Sequence, residues 1–407
     1  MARGRSKRAL NPPFESSSFS PTILVGRMLH VSGREIHCVV YLTLFVVLAI
    51  LIFAAFGFDR SIDTWPMFRG SPDLSGVTAT DLPKPLKLSW SFEANDSIES
   101  SAAIVDGVVY VGSMDASLYA FDLDTGKLRW RYATDGPVEE SSPCVYKGIV
   151  YIGDLNGILH AVDASSGKAR WTFEAEMEIR SSPNCIDNRV YFGSYDENLY
   201  CLSTDKGVLL WKYTTEGPLH STPASDGKYV YVSGCDETFR AIDAVSGSQI
   251  YALPLGAYSG ASAALRDNHA YIGTFGNEVL CINLRQQANQ WVYRHPTRSF
   301  PFYSSAAVTE ERVVVGGRDK IVHCLERATG RQIWTFTTRS RVESSPLIAG
   351  NRVFVGSNDG HLYELDLVSG EKTWDFTAGA PLSASPAAAQ NSLVIGSQDG
   401  VLYCFGK

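Results

Sequence analysis

The sequence predicts an all-β protein, an eight-bladed β-propeller of four-stranded blades, behind a single transmembrane helix. Two phrases recur together every 40 to 43 residues. One is an apolar run followed by Asp, a Gly turn and Trp, as in "YAFDLDTGKLRW" (119–130), and the other is a Ser-Ser pair, as in "SSP" (141–143). A period of about 40 residues with four strands per unit is typical of a propeller blade.

The Ser-Ser phrase gives the number of blades. Its copies begin at residues 100, 141, 181, 221, 261, 304, 344 and 384, and the fifth and eighth copies have Ala in place of the first Ser. Between copies, segments such as "VVYVGSMDASLYAFD" (108–122) contain two alternating apolar runs joined by a turn rich in Gly and Asp. This pattern predicts a β-hairpin, so eight copies predict eight blades.

The two ends of the repeat array predict how the ring closes. The last copy stops at "VLYCFGK", whereas a lone strand around Trp90 precedes the first complete blade. Because a ring must protect its edge strands, we expect this N-terminal strand to complete the last blade. One large aromatic residue then falls in each blade, and we predict a structural docking role for all eight: Trp90, Trp130, Trp171, Trp211, Tyr251, Trp291, Trp334 and Trp374.

Residues 38–58 form an uncharged apolar run of 21 residues, which as a helix would span about 31 Å, the thickness of a bilayer core. The alternative, a cleaved signal peptide, normally has an apolar region of about 7–15 residues behind a short basic head. We therefore expect an uncleaved anchor in the inner (cytoplasmic) membrane. Residues 1–37 carry a net charge of +4, which predicts a cytoplasmic tail and a periplasmic, extracytoplasmic propeller.

The predicted organisation therefore has four regions. They are a basic, disordered tail (1–37), a transmembrane anchor (38–58), a linker or strap (59–85) and the propeller (86–407). The residues after the tail carry a net charge of −11, against −7 for the whole chain. This acidity argues against nucleic acid as a partner, because phosphates require a basic surface.

The cysteines indicate packing rather than chemistry. Cys201, Cys281, Cys324 and Cys404 recur at one position of the repeat, where three other blades have Ala. A buried Cys packs as a small apolar residue, and equivalent positions on different blades are too far apart for a disulfide. We expect no disulfide among Cys144, Cys185 and Cys235 either, although the sequence leaves their redox state open.

The docking phrase also carries a family resemblance. Its pattern A-x-D-x-x-T-G-x-x-x-W, matched by Ala120, Asp122, Thr125, Gly126 and Trp130, resembles the tryptophan-docking motif of pyrroloquinoline-quinone-type propellers. The resemblance implies that each Trp packs on the neighbouring blade while Asp and Thr brace the turn. "WPMFRGSPDLSGV" (65–77) resembles the lead-in segment of such propellers, for which we expect a strap packed along the ring.

The blade number and the predicted compartment also resemble the BamB family, periplasmic lipoproteins that assist outer-membrane β-barrel assembly. This chain differs by having a membrane helix in place of a lipidated cysteine. The resemblance implies a protein-interaction scaffold in envelope protein assembly, with protein partners, one membrane helix and a monomeric propeller. A sensor or adhesion ectodomain is a further alternative.

A quinone-dependent or other redox enzyme is the remaining alternative. In quinone-dependent dehydrogenases of this fold, the cofactor lies on the central axis between a Trp and a vicinal Cys-Cys disulfide, with Ca²⁺ and a catalytic Asp. This chain has no adjacent cysteines, and its repeats leave no long loops to form a substrate cavity. We therefore predict no catalytic residue, no cofactor and no metal.

Two candidate binding regions follow from the repeat. The residue before each Ser-Ser phrase should lie on one rim of the central channel, which gives Glu99, Glu140, Arg180, His220, Gly260, Tyr303, Glu343 and Ser383. We expect Glu343, Glu99 and Glu140 to form an acidic arc opposite Arg180 and His220. The lengthened link "RHPTRSFPFYSS" (294–305) indicates either a tolerated irregularity of the repeat or an exposed contact loop with Phe300, Phe302 and Tyr303.

Overall fold

The computed structural model describes residues 63–406, in which the regular structure consists of β-strands. No helix in this part is long and apolar enough to cross a membrane. The predicted tail (1–37) and transmembrane anchor (38–58) lie outside the described residues. The prediction of an eight-bladed, all-β propeller with four-stranded blades is confirmed.

Each blade is an antiparallel sheet whose strands follow one another from the channel outward. The strands of blades 1 to 4 are Ala103–Val105, Val108–Ser113, Ser117–Asp122 and Leu128–Ala133; Cys144–Tyr146, Ile149–Gly153, Ile158–Asp163 and Ala169–Glu174; Asn184–Ile186, Arg189–Gly193, Asn198–Ser203 and Leu209–Thr214; Ala224–Ser225, Tyr229–Ser233, Thr238–Asp243 and Gln249–Pro254. Those of blades 5 to 7 are Ala264–Arg266, His269–Gly273, Val279–Asn283 and Ala288–Tyr293; Ala307–Val308, Arg312–Gly316, Ile321–Glu326 and Gln332–Thr337; Leu347–Ala349, Arg352–Gly356, His361–Asp366 and Lys372–Thr377.

Blade 8 closes the ring with a strand from the other end of the chain. Its first three strands are Ala387–Ala389, Ser392–Gly396 and Val401–Gly406, and its outermost strand is Lys87–Glu93. The last two pair antiparallel, with Trp90 opposite Cys404. The predicted closure by the strand around Trp90 is thus observed.

Burial follows the position of a strand within its blade. The second and third strands are covered on both faces by neighbouring blades, so they are almost entirely buried, as in Val108–Ser113. The fourth strands alternate between half-buried and exposed residues, as in Leu128–Ala133. Each fourth strand also has a β-bulge immediately before its large aromatic residue.

Residues 63–82, here called the lead-in segment, cross beneath the channel and contact all eight blades. Trp65 exchanges two backbone hydrogen bonds of 2.8 Å with Ile104 of blade 1. Further carbonyl oxygens of the segment accept N–H groups from the innermost strands at 2.7 to 3.0 Å: Pro66 from Val145, Pro72 from Ser225, Asp73 from Leu265, Ser75 from Val308 and Gly76 from Ile348.

The remaining two blades contact the lead-in segment through side chains. Asn184 of blade 3 donates to the Pro72 carbonyl at 2.9 Å, and the Asp63 carboxylate accepts the backbone N–H of Gln390 at 2.7 Å. The strand Val77–Thr78 pairs in parallel with Leu347–Ala349. The segment thus packs against the ring, and its carbonyl groups accept N–H groups along the free edges of the innermost strands, which would otherwise lack partners at the channel.

Candidate functional site

The Ser-Ser phrase forms a closed ring of hydrogen bonds around the channel. The second residue of each phrase accepts, through its hydroxyl oxygen, the backbone N–H of its counterpart in the preceding blade at 2.8 to 3.3 Å. These hydroxyl groups are buried and belong to Ser101, Ser142, Ser182, Thr222, Ser262, Ser305, Ser345 and Ser385. This hydroxyl ring links each blade to the next.

The first serine of the phrase bonds within its own blade, and Ser141 and Ser181 also donate to a carbonyl of the next blade. In five blades its hydroxyl accepts the N–H of a glycine at the end of the second strand at 2.7 to 3.2 Å. The two serines together fix the innermost strand to both the next strand and the neighbouring blade. This fixation places the preceding residue, the predicted rim position, at the channel mouth.

The structure brings all eight predicted rim residues together. They surround a cavity of about 90 Å³, walled by the hydroxyl ring, with Phe68 of the lead-in segment also in its lining. Val342 is fully buried whereas Glu343 lies at the cavity, as strand alternation predicts. The predicted rim is therefore one continuous surface in the fold.

Three rim side chains from different blades meet across the channel mouth. The Tyr303 hydroxyl lies 2.9 and 3.1 Å from the two Glu140 oxygens and 2.8 Å from His220 Nε2. His220 Nε2 is 2.7 Å from Glu140, and its Nδ1 is 2.9 Å from the Tyr195 hydroxyl. These contacts hold Glu140, His220 and Tyr303 in a bridge over the cavity.

The bridge keeps Glu140 ionised. Burial alone would raise the pKa of this carboxyl, but the charge and hydrogen bond of His220, together with Tyr303, lower it overall. Burial and the adjacent Glu140 carboxylate raise the pKa of Tyr303. The phenol therefore stays protonated and donates a hydrogen bond to Glu140. The arrangement satisfies the Glu140 carboxylate internally and leaves it little capacity for another ligand.

The predicted acidic arc is wrong in one respect, because most of its carboxylates have basic partners. His220 contacts Glu140 directly instead of lying opposite it, and Glu343 is 2.8 Å from Arg318 and 3.4 Å from Arg341. Arg180 pairs with Glu139, the residue beside the rim position. Tyr303 and Glu140, which belong to links four blades apart, contact each other across the channel mouth.

Glu99 is the exception among the rim carboxylates. Within the described residues it has no basic partner within 4 Å, and its neighbours Ser97, Ser383 and Gln398 lie at 3.4 Å. Burial raises the pKa of Glu99, and the charges of Glu139 and Glu140 raise it further. Glu99 is thus the rim group whose ionisation the site opposes.

The predicted contact loop is only partly exposed. Phe300 is 50% exposed, as expected, but Phe302 is 1% exposed and packs against Tyr293 and His323. The expectation for Phe302 was wrong because the lengthened link turns this side chain inward, beneath the rim. Its backbone N–H donates to Thr274 of blade 5 at 3.2 Å.

The large aromatic residues dock on the next blade. Six indole N–H groups donate to a backbone carbonyl of the following blade at 2.7 to 3.2 Å: Trp90 to Leu123, Trp130 to Ala164, Trp171 to Thr204, Trp211 to Ala244, Trp291 to Arg327 and Trp334 to Leu367. Each ring lies on the glycine of that blade's turn. A Cβ at Gly167, for example, would come within 2.7 Å of the Trp130 ring.

Blade 4 departs from this joint in a compensated way. Tyr251 replaces Trp, and the turn that it faces has Gln287 at the glycine position, with a φ of 54°. The smaller Tyr ring leaves space that the Trp joints do not have. Two substitutions that look like separate irregularities in the sequence therefore occur at one contact.

One cluster has the composition of a metal site, but the ligand atoms of its two buried residues, Asp154 and His160, already have partners. Ligand atoms of Asp135, Asp154 and His160 lie within 4.8 Å of one another. His160 is fully buried, with Nε2 2.9 Å from Asp154 and Nδ1 3.1 Å from the Tyr132 hydroxyl. Asp154 also accepts the N–H groups of Gly136, Asn156 and Ile158. The cluster braces a blade junction.

The cysteines of the described residues are free thiols. Cys201, Cys281, Cys324 and Cys404 are buried in the third strands, where burial raises the pKa of each to about 12. Cys235 is exposed. It lies on the turn between the second and third strands of blade 4, on the face that carries the rim.

Sequence reasoning missed the aromatic and basic residues around the rim. Tyr195, Tyr258, Phe275 and Arg318 all lie on that face, and Arg318 stacks over Phe275 and Tyr303 at 5.2 and 4.6 Å from the ring centroids. They lie in turns and links whose residue types vary from blade to blade. The position of each turn within the repeat was the only sequence signal that could have placed these residues on the channel face.

Comparison with known proteins places this geometry in a family. The family model described as "Outer membrane protein assembly factor BamB" matches residues 77–293 and 294–406. BamB from Moraxella catarrhalis is similar in structure, with a TM-score of 0.69 and 18% identity over 79% of this chain and 100% of that one. No curated protein matches the sequence.

Two other solved structures are also similar. The computationally designed Ika8 protein has a TM-score of 0.70 and 17% identity, over 79% of this chain and 100% of its own. Quinohemoprotein alcohol dehydrogenase from Comamonas testosteroni has a TM-score of 0.74 and 14% identity, over 85% of this chain and 81% of its own. Likenesses at such identities show a shared fold alone.

Proposed function

Because the chain belongs to the family of outer membrane protein assembly factor BamB, we propose that it is a scaffold for protein partners of the cell envelope. In this proposal the propeller is held at the inner membrane by residues 38–58, with the N-terminus inside and the propeller outside the cytoplasm. The observation that carries the proposal is the family match across the propeller together with a channel that is occupied by its own side chains.

The channel does not fit a quinone cofactor. The cavity measures about 90 Å³, whereas small-molecule sites usually measure about 300–1,000 Å³. Phe68 lies in its lining, and the contact between Tyr303 and Glu140 crosses its mouth. The sequence also lacks the adjacent cysteines of quinone-dependent dehydrogenases. We therefore derive no reaction step through a quinone.

The surface that remains for partners is the face around the rim, here called the channel face. It carries the links between blades and the turns between second and third strands. Phe300 is exposed in one of these links, and aromatic residues are enriched in the cores of protein interfaces. This face therefore supports a binding role better than a catalytic one.

Site-directed crosslinking in the native membrane tests the scaffold role. A photo-crosslinking amino acid at position 300 should capture envelope proteins, which mass spectrometry would identify. The matched control is position 245, because Val245 is 67% exposed but lies on a turn between third and fourth strands, on the opposite face. Equal capture from both positions, or capture from neither, would contradict the proposal.

Cell fractionation tests the proposed anchor and orientation. The full chain should stay with the inner membrane after a high-salt wash, and protease added to spheroplasts should digest the propeller. Replacing residues 38–58 with a cleavable signal peptide should release the propeller into the periplasm. A propeller protected from external protease would show that the orientation is wrong.

Reconstitution separates the scaffold from the enzyme alternative. The purified full chain would be incubated with pyrroloquinoline quinone and Ca²⁺, and quinone absorbance and alcohol oxidation would be followed. The scaffold proposal expects neither stoichiometric quinone binding nor turnover. Either result would favour a redox enzyme.

A further inference from the structure

A stacked pair of aromatic rings, one of them exposed, lies on the channel face beside the rim. Tyr258, in the link from blade 4 to blade 5, stacks on Phe275 with ring centroids 4.4 Å apart and an interplanar angle of 28°. Tyr258 is 45% exposed, and its carbonyl accepts the Phe275 N–H at 3.0 Å. This pair, the aromatic shelf, is thus fixed by backbone as well as side-chain contacts.

Within residues 63–406, Arg318 covers one side of the aromatic shelf. Arg318 stacks over Phe275 and Tyr303, and its guanidinium is held by Glu343 at 2.8 Å. Phe275 also contacts Tyr303 edge to face. Arg318 therefore stabilises the inner side of the shelf, whereas the Tyr258 ring remains accessible.

Two exposed acidic residues, Glu216 and Glu237, lie on the same face as the aromatic shelf, in the link into blade 4 and in the next turn of that blade. The backbone N–H of Glu216 donates to Asp236 at 3.1 Å, and the Glu237 carbonyl accepts the N–H of Leu255, three residues before Tyr258, at 2.7 Å. Asp236 is neutralised by Arg240 at 2.7 Å. Among the described residues, neither Glu216 nor Glu237 has a basic side chain within 4 Å.

The wider charge distribution extends this local pattern. The links that lead into blades 1 to 4 contain eight acidic residues and one arginine: Asp96, Glu99, Asp135, Glu139, Glu140, Glu176, Glu178 and Glu216, with Arg180. The links into blades 5 and 8 contain no charged residue, and those into blades 6 and 7 contain four arginines and Glu343. The aromatic shelf lies where the acidic half of the face ends.

We propose that the aromatic shelf, with Glu216 and Glu237, binds a segment of a partner protein in which a large apolar side chain is flanked by Lys or Arg. The proposal rests on the scaffold function and names the chemistry of its partner. The apolar side chain packs on Tyr258, and the basic residues lie over the acidic half of the channel face.

Physical arguments favour this occupant over other macromolecules. Stacked aromatic residues at the centre of a contact provide most of its binding energy, and surrounding charges provide specificity and rapid association. Nucleic acid and anionic lipid headgroups would be repelled by the acidic links. A basic segment also gains favourable electrostatic energy where it approaches Glu216 and Glu237, because neither carboxylate has to give up an internal partner.

Labelled five-residue peptides test the proposal on the purified full chain. The probes are Lys-Lys-Trp-Lys-Lys, Lys-Lys-Ala-Lys-Lys and Glu-Glu-Trp-Glu-Glu. Their binding is measured by fluorescence anisotropy at increasing salt concentration. The first should bind at least tenfold more tightly than the other two, with affinity falling as salt rises. Equal binding of the first two peptides would overturn the role of the aromatic shelf.

Variants locate the peptide on the protein. Tyr258→Ala should weaken binding of the Trp peptide about tenfold, and Glu216→Gln with Glu237→Gln should weaken it severalfold and reduce its salt dependence. Tyr229→Ala and Glu371→Gln, on the opposite face, are matched controls that should leave binding unchanged. If the control variants weaken binding as much as the channel-face variants do, the location is wrong.

The exposed Cys235 gives a measurement that leaves the aromatic shelf, Glu216 and Glu237 unsubstituted. The turn that carries it is bound to the Tyr258 link, because the Ser259 N–H donates to the Gly234 carbonyl at 3.2 Å. The Trp peptide should slow alkylation of Cys235 by N-ethylmaleimide. The Cys235→Ser variant identifies which fragment of the digested protein carries the alkylated Cys235. Unchanged alkylation at saturating peptide would overturn the proposal even if a variant failed to fold.

Crosslinking in the membrane separates this proposal from the scaffold function. A benzophenone maleimide on Cys235 and a photo-crosslinking amino acid at position 300 would be compared. Capture of the same partner from both positions, through a basic and aromatic segment, supports both proposals. Capture from position 300 alone overturns the aromatic shelf and leaves the scaffold, whereas capture from neither overturns both.

Discussion

At the scale of single residues, the blade joint depends on matched sizes. A Trp ring fills the space above a turn only when that turn has glycine, because a Cβ there would lie 2.5 to 2.7 Å from the ring in six joints. The glycines also have positive φ, which glycine adopts without strain. Where Tyr251 occurs, Gln287 is tolerated.

This matching predicts a double-mutant cycle. Tyr251→Trp alone should destabilise the propeller by about 1–3 kcal/mol, as overpacking usually does, because the larger ring would meet the Cβ of Gln287. Adding Gln287→Gly should remove most of that loss. Thermal unfolding of the two single variants and the double variant measures the coupling. Additive effects would show that the two residues do not share a contact.

The pKa shifts of Glu99 and Glu140 predict that replacing each by neutral Gln changes the stability of the fold in opposite directions. The pKa of Glu99 is raised above its ordinary value near 4.5, so its ionisation costs stability as the pH rises from about 4.5 through the raised value. The pKa of Glu140 is lowered, so its charge stabilises the fold above about pH 4.5 and this contribution is lost as the pH falls through the lowered value.

At pH 7, Glu99→Gln should therefore raise the melting temperature and Glu140→Gln should lower it. Both differences should shrink towards pH 4, where carboxyl groups become protonated. Calorimetry of the two variants at both pH values provides the measurement. A Glu99→Gln variant that is as destabilised as Glu140→Gln at pH 7 would show that Glu99 has a charge partner.

At the scale of strands and blades, the hydroxyl ring explains why the Ser-Ser phrase recurs. The innermost strands are short, two or three residues each, and their hydrogen bonds to the second strands are few. In five blades the two hydroxyl groups add one bond within the blade and one between blades. The phrase therefore compensates for the shortness of the strand that it precedes.

Removing one link of the ring should have a measurable cost. Ser182→Ala leaves the buried N–H of Ser142 without its acceptor at 2.9 Å, and an unsatisfied buried donor costs about 1–3 kcal/mol. Ser182→Thr is the matched control, because Thr222 already occupies the same position in blade 4. Denaturant unfolding compares them. Equal stability of the Ala and Thr variants would contradict a structural role.

The sequence predicted the parts of the structure that the repeat controls. Blade number, closure through Trp90 and the rim positions depend on spacing, which is visible in one chain. The bridge from Tyr303 to Glu140 was not predictable, because it joins side chains 163 residues apart whose meeting depends on the channel width. Burial of Phe302 was missed for a similar reason, since a lengthened link has no counterpart in the other blades.

At the scale of the whole molecule, the lead-in segment joins the blades at a common centre. Several of its side chains are buried as deeply as the core, with Trp65 at 1% and Leu74 at 0% exposed. Arg69 is equally buried and donates to the carbonyls of Ser345 and Ala306 at 3.1 Å. A segment that contacts every blade should make their unfolding a single event.

Leu74→Ala tests this cooperativity. Leu74 packs in a cluster with residues of blades 4 and 5, and truncating a buried Leu costs about 2–5 kcal/mol. We expect the whole calorimetric transition to move to a lower temperature as one peak. A small separate transition, with the main peak unchanged, would show that the lead-in segment is only an appended strap.

The contacts of the lead-in segment also determine when the propeller can be completed during synthesis. Asp63 and its partner Gln390 lie 327 residues apart, so the earliest part of the propeller to be made waits for the last blade. Until Val401–Gly406 has been translated, Lys87–Glu93 lacks its pairing strand and remains open to proteases and to wrong partners. Ring closure therefore distinguishes finished chains from truncated ones, because only a chain synthesised through its last strand can protect its first.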